Sequence, residues 1–440
     1  MTSTNDTAHP SGNARPTSEP LVVDVLVIGA GPSGAAAATV LARSGKHVVV
    51  VDKASFPRDK CCGDGLTTLA LRELEGLGVQ PAAIENWQTV SEVMLRSPSG
   101  RHVTMRLPGD GIAAATTPRR ELDLAVIRNA QAAGATLIDG LALATITPTP
   151  AGITATLTPH GRDADAQPHS SRPSWVGREI RAGFVVAADG VWSPTRKLLG
   201  LSGDGYRGEW HAFRQYAHRV TGPAADQLIV WFEPDLLPGY AWSFPLPGGR
   251  ANIGFGVLRD GQRRIQDMAG LWRDLLARPH IAAALGDGFE LEGRHTAWPI
   301  PCGITAATLT RGRVLFVGDA ARAGDVMTGE GIGQALVTGR LAAEAILAGG
   351  SADQVAARYS REVRHDLFAD HRMSVGLNKL LARPWAARGA IRVIGLSDWT
   401  RRNFARWMFE DEPRAILATP RRWHRRILRR SMPFARAKLG

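Results

Sequence analysis

Residues 21–52 read LVVDVLVIGAGPSGAAAATVLARSGKHVVVVD. The first eight are nearly all aliphatic or β-branched, which spells a strand buried on both faces. The alanine-rich residues 33–44 spell a helix, and residues 47–51 a second buried strand, so the stretch makes one βαβ unit. Between the first strand and the helix stands Gly29-Ala30-Gly31-Pro32-Ser33-Gly34, a G-x-G-x-x-G run in the context that gives the motif its meaning. Gly29 permits the tight turn, Gly31 lets a pyrophosphate approach bare backbone, and Gly34 lets helix and strand pack closely. The phosphates are then expected on the helix N-terminus, where free N–H groups and the helix dipole favour anions. Asp52 closes the second strand, placed to accept hydrogen bonds from the adenosine ribose.

The same kind of segment returns twice. Residues 180–188 and 314–317 read as buried strands, and residues 332–347 as a buried helix. A helix is expected over 120–133, strands over 136–138 and 152–158, and a polar hairpin loop over 159–177. Residues 205–257 instead carry aromatic, alternating strands. The fold class is therefore α/β: a discontinuous Rossmann-type nucleotide-binding domain (21–85, 113–204 and 296–348), interrupted by a β-rich substrate domain (86–112 and 205–295). Residues 1–20 read as a disordered lead-in, and 349–440 as a helical, increasingly basic region.

The totals fit this division. The 440 residues are 44% hydrophobic and 21% charged, ordinary for a globular protein of two or three packed units. No apolar run reaches the roughly 18 residues of a membrane span. Three cysteines, two of them adjacent, make no disulfide framework, which points to a reducing cytoplasm. No histidine spacing suits a metal. The net charge of +12 is concentrated at the C-terminal end. There, Trp423 and Ile427 share a helical face among the arginines of residues 421–430. That pattern suits the inner face of an anionic membrane, where the protein would sit peripherally. Nucleic acid is disfavoured, because no recognition module accompanies the charge.

Two further motifs select the cofactor. Ala188-Asp189-Gly190 ends one buried strand. Gly318-Asp319-Ala320 ends another and leads to Gly329-Glu330-Gly331-Ile332-Gly333. In this order the set resembles the group A flavoprotein monooxygenase superfamily, which implies non-covalent FAD in a p-hydroxybenzoate hydroxylase-type fold. The resemblance implies cofactor contacts at Gly29, Gly31, Gly34, Asp52, Arg119, Asp189 and Asp319, with Gly331, Ile332 and Gly333 at the flavin edge. A helix N-terminus there suits the negative charge of reduced flavin.

Residues 56–66 (FPRDKCCGDGL), 239–245 (GYAWSFP) and 328–336 (TGEGIGQAL) are similar to hallmark segments of the geranylgeranyl reductase family. That resemblance implies reduction of isolated double bonds in a prenyl chain, with electrons from NAD(P)H or ferredoxin. It makes Cys62 and Asp64 the candidate catalytic residues. Tyr240, Trp242 and Phe244 alternate along a strand, share one face, and are candidates to line a prenyl channel. The alternative is an FAD-dependent monooxygenase acting on an apolar or aromatic substrate. Menaquinone reductases of this family are expected to carry Asn-Pro shortly before Gly-Glu-Gly; here the residues are Asp325-Val326-Met327-Thr328.

Overall fold

The structure, a computed structural model, describes residues 19–160, 175–202, 205–259, 267–409, 415 and 432–435. The basic segment 421–430 and the lead-in through residue 18 lie outside them, as does most of the expected 159–177 loop. Five parallel strands form the core, in the order Val314–Phe316, Glu179–Ala187, Leu21–Ile28, Val48–Asp52, Thr136–Asp139. The hairpin Leu141–Pro148/Ile153–Pro159 adds antiparallel to Glu179–Ala187. Helices Pro32–Arg43, Arg119–Ala132 and Ile332–Leu347 cover this sheet. The first of these helices packs against the other two, the hairpin strand Leu141–Pro148 packs against Val48–Asp52, and VVVVD is buried along its whole length, as a parallel strand covered on each side is.

The first helix packs unusually close to its neighbours. Gly29 has φ +101°, and a Cβ there would stand 2.3 Å from the Ala188 carbonyl oxygen. A Cβ at Gly34 would stand 1.9 Å from the Gly29 carbonyl oxygen, and one at Gly339 2.1 Å from that of Ser33. The first and last cofactor segments therefore interlock through backbone, which only glycine permits. One consequence is that the N-termini of Pro32–Arg43 and Ile332–Leu347 open on the same cleft.

A second sheet has seven strands, in the order Glu290–Ile300, Trp210–His218, Arg250–Leu258, Tyr240–Leu246, Leu228–Trp231, Glu92–Arg96, His102–Arg106. The early hairpin joins it by parallel pairing of Glu92–Arg96 with Leu228–Trp231. The edge strand runs through Ile300, carrying this sheet past the boundary drawn at 295. Between the two large sheets sits a small one of Gly65–Leu66, Ala115–Thr116 and Gln88–Thr89.

Three helices follow. Ala352–Leu381 starts on a Ser351/Gln354 capping box and is anchored where the Tyr359 hydroxyl donates to the Phe316 carbonyl at 2.6 Å. Pro384–Ile394 starts on a proline, whose fixed φ suits the first helical position. Asp398–Met408 starts on a second capping box, Ser397/Thr400. The last two pack on the outer edge of the second sheet, where Ile391, Ile394 and Ala405 share a core with Val93, Val103 and Leu228.

The glycine contacts make a direct prediction. Gly34→Ala forces the first helix off its strand and should cost about 1–3 kcal/mol. Gly76→Ala, at an exposed helical glycine with nothing within 4 Å of a new Cβ, should be neutral or stabilise by about 0.5–1 kcal/mol. Calorimetric unfolding of the two variants side by side tests whether close approach is the reason.

Candidate active site

The cleft is built first from backbone. The N-caps of Pro32–Arg43 and Ile332–Leu347 are Gly31 and Gly331, and neither helix receives a side-chain cap. Each therefore presents free N–H groups at its positive end. A Cβ at Gly31 would meet only the Arg58 guanidinium, at 3.6 Å, and one at Gly331 only Asp319, at 3.9 Å. This is a cradle of bare backbone, and it fits a pyrophosphate at one helix and an electron-rich ring edge at the other. FAD supplies both groups. Gly31, Arg119, Gly190, Asp319, Gly331 and Ile332 line the cavity there and are the residues that would hold it.

Side chains of the 56–66 segment complete the wall. Lys60 Nζ pairs with Asp319 Oδ2 at 2.9 Å. Arg119 is buried and holds Asp123 with two hydrogen bonds of 2.8 Å, while Arg58 reaches the same carboxylate at 2.8 Å. Burial alone would push the Asp123 carboxyl up, but the two guanidiniums overcome it and hold it below the usual carboxylate range. Arg119 also faces Cys62. Burial pushes the Cys62 thiol up, and Arg119 pulls it only partly back, so the thiol keeps its proton at neutral pH.

Asp64 is fully buried at φ +65°, between Gly63 and Gly65. Its carboxylate accepts from the Tyr216 hydroxyl at 2.6 Å, from Asn252 Nδ2 at 2.8 Å and from the Arg119 backbone N–H at 3.2 Å. Burial pushes its pKa up to about 6, and the Tyr216 and Asn252 hydrogen bonds restrain the rise. The turn is pressed against aromatic rings, since a Cβ at Gly65 would stand 3.1 Å from Phe244. Asp64 is thus a carboxyl whose pKa is raised to about 6, with donors already aimed at its anion.

From this turn a cavity of about 430 Å³ runs outward. Tyr240, Trp242 and Phe244 line it in a row, with consecutive ring centroids 6.0 Å apart. The Trp242 indole N–H donates to Asn252, and the Tyr240 hydroxyl to the Thr328 carbonyl, so both polar tips are satisfied away from the apolar space. Leu95, Leu228 and Val230 extend the floor. The roof comes from the C-terminal helices: Leu377, Ile391, Ile394, Phe404, Trp407 and Met408.

The cavity brings together Gly31, Cys62, Asp64, Arg119, Tyr240, Trp242, Phe244, Asp319, Gly331 and Ile332. Other sequence-selected residues stand behind it. Gly29 and Gly34 shape the turn, and Gly333 packs against Leu69. Asp52 accepts the backbone N–H groups of Ala30 and Ala54, at 2.8 and 2.9 Å. Asp189 turns away to cap the helix Pro194–Leu198, accepting from Ser193 Oγ at 2.6 Å and Thr195 N at 2.8 Å. Asp325, in place of Asn-Pro, closes the loop before Gly-Glu-Gly by accepting from Met327 N, Thr328 N and Thr328 Oγ1. The roof escaped the sequence reading, although Phe404, Trp407 and Met408 stand at the i, i+3, i+4 spacing of an apolar helical stripe.

The parallel sheet and its glycine-lined cleft are those of a dinucleotide-binding protein, with an apolar cavity beside the cleft. A model of the FAD binding domain matches residues 22–364. Menaquinone reductase of Mycolicibacterium smegmatis is 32% identical over 349 residues, covering 75% of this chain and 78% of that protein. Digeranylgeranylglycerophospholipid reductase 2 of Methanopyrus kandleri is 30% identical over 325 residues, covering 73% and 76%. The structure of a geranylgeranyl bacteriochlorophyll reductase-like protein from Thermoplasma acidophilum superposes with TM-score 0.73 at 20% identity, covering 92% of this chain and all of that one. The chain belongs to the geranylgeranyl reductase family of FAD-dependent oxidoreductases.

Removing Arg119 leaves the buried Asp123 with Arg58 alone. Arg119→Ala should cost roughly 3–5 kcal/mol and lower the FAD content of the purified protein. Arg119→Lys keeps the charge without the two-point geometry, and should fall between it and the parent. Chemical unfolding and flavin absorbance measure both effects.

Proposed function

We propose that the protein saturates isolated C=C bonds in a prenyl chain carried by a lipid or a quinone. The observation that carries this is the apolar cavity, which starts at Cys62 and Asp64 beside the two helix N-termini and runs between an aromatic strand face and a helical roof. Its relatives named menaquinone reductase and digeranylgeranylglycerophospholipid reductase support the substrate class. FAD, when bound and reduced, supplies the hydride. The protein's own work is to align the chain, exclude water and provide a proton. As one alkene carbon takes the hydride, the other takes a proton, and the π pair is consumed in the new C–H bond. Asp64 is the proton donor: its pKa is raised to about 6, and its three donors stabilise the anion left behind. The Cys62 thiol, held neutral, positions the alkene. The faces of Tyr240, Trp242 and Phe244 accommodate the cationic character that protonation creates.

Electrons come from NAD(P)H or ferredoxin, and the enzyme works at the inner face of the membrane. The charge of residues 401–440, 12 basic against 3 acidic, supports that location. No described helix is long and apolar enough to cross a membrane.

The test is anaerobic incubation of dithionite-reduced protein with geranylgeranyl lipids and menaquinones, followed by mass spectrometry. Product should gain two hydrogens per step; product formed only with oxygen present would sink the reading and favour the monooxygenase. Within the reductase, the rate should fall as pH rises through about 6, where Asp64 loses its proton. Asp64→Asn should remove that dependence and lose at least about 100-fold in rate. Cys62→Ser should lose about 10-fold or less; if it loses more than Asp64→Asn, Cys62 is the donor instead.

A further inference from the structure

The roof of the cavity has two faces. On Pro384–Ile394, Ala387, Ala390, Ile391 and Ile394 face the cavity. Trp385, Arg388, Arg392 and Val393 are exposed, and Leu396 follows at the same one-turn spacing. The next helix packs against this one and adds exposed Trp399 and Arg402. Trp385, Leu396 and Trp399 are 64%, 70% and 71% exposed. From 383 to 409 the chain has six arginines and a single acidic residue, Asp398, which pairs with Arg401.

Scattered surface apolar residues need no explanation. A run of them at helical spacing, interleaved with arginine, does. Tryptophan favours the lipid–water interface, with its ring among the headgroups and its N–H wet. Arginines beside it gain from anionic headgroups. A second copy of this face, or the chain's own arginine-rich residues 421–430, would instead set arginine against arginine. We propose that the outer face of this two-helix roof is the surface that docks on an anionic lipid bilayer. The cavity then lies one helix thickness from the lipid, about 10 Å. The proposal deepens the reading of the cavity as a prenyl-chain site and rests on it.

The test is flotation of the full-length, FAD-loaded protein with vesicles of phosphatidylcholine alone or with one-third phosphatidylglycerol. The parent should float with the anionic vesicles and far less with the neutral ones. Trp385→Ser/Leu396→Ser/Trp399→Ser and Arg388→Gln/Arg392→Gln/Arg402→Gln should each bind about 100-fold more weakly, with FAD content unchanged. Flotation equal to the parent in both variants would overturn the proposal. So would release only when the arginines of 421–430 are replaced, or a parent dimer that the roof variants split while vesicles bind neither. Reduction of a short prenyl alcohol in detergent is read separately. The roof variants should retain it, and its absence in the parent would sink the reductase reading while the flotation result stood on its own.

Discussion

Everything in the site depends on how close two helices can come to one turn. The first helix sits on the Gly29 carbonyl through Gly34, and the last cofactor helix sits on the Ser33 carbonyl through Gly339, at distances no side chain could share. This contact sets two uncapped helix N-termini on one cleft. Free N–H groups at both ends then provide fixed positive potential without a charged side chain that could move. Ordering such dipoles takes place once, during folding, so they need not reorganise when an anionic ligand arrives. The alanine-rich sequence of the first helix follows from the same constraint, because larger residues would push the layers apart.

The charged groups around the cleft divide by how they are satisfied. Asp123 is buried yet stays ionised, because two guanidiniums meet it. Asp64 is equally buried but has neutral donors, and burial outweighs them. Asp64 lines the cavity and Asp123 stands behind Arg119, and their neighbours have driven the two carboxylates in opposite directions. One is a structural anchor for Arg119, and the other is free to exchange a proton. Such a split is how one site supports a fixed charge beside a titrating one.

Local signals carried the fold. Glycine spacing, β-branched runs and the alternation of Tyr240, Trp242 and Phe244 each depend on residues close in sequence, so strands and helices emerged near their observed bounds. The flavin family was also legible, because its motifs are short and ordered. What did not show was which way a side chain turns. Asp52 and Asp189 stand at strand ends, and their oxygens accept from the backbone N–H groups of Ala30, Ala54 and Thr195, contacts that no local pattern spells. Lys60 on Asp319 is a pair separated by 259 positions, and no local pattern announces it. The roof was hidden for a different reason. Its arginines dominate the composition of the C-terminal region, and charge is read before spacing.

The roof also explains why such a chain needs helices after its cofactor domain is complete. A strand face alone leaves a hydrocarbon chain half in water, and an isolated alkene offers no polar group by which to be held. Alignment must come from enclosure. Phe404, Trp407 and Met408 close the cavity opposite the aromatic strand face, and Phe404 and Met408 pack against the core of the second sheet. The floor and the Phe404–Met408 part of the roof therefore belong to one packed unit, while Leu377 comes from the helix anchored on the nucleotide domain. The two units meet at the Cys62–Gly65 turn, where the glycines let the Phe244 ring approach the backbone within contact. Widening either glycine would separate the enclosing unit from the reacting one, and for a substrate held only by enclosure that separation removes its alignment with the reacting groups.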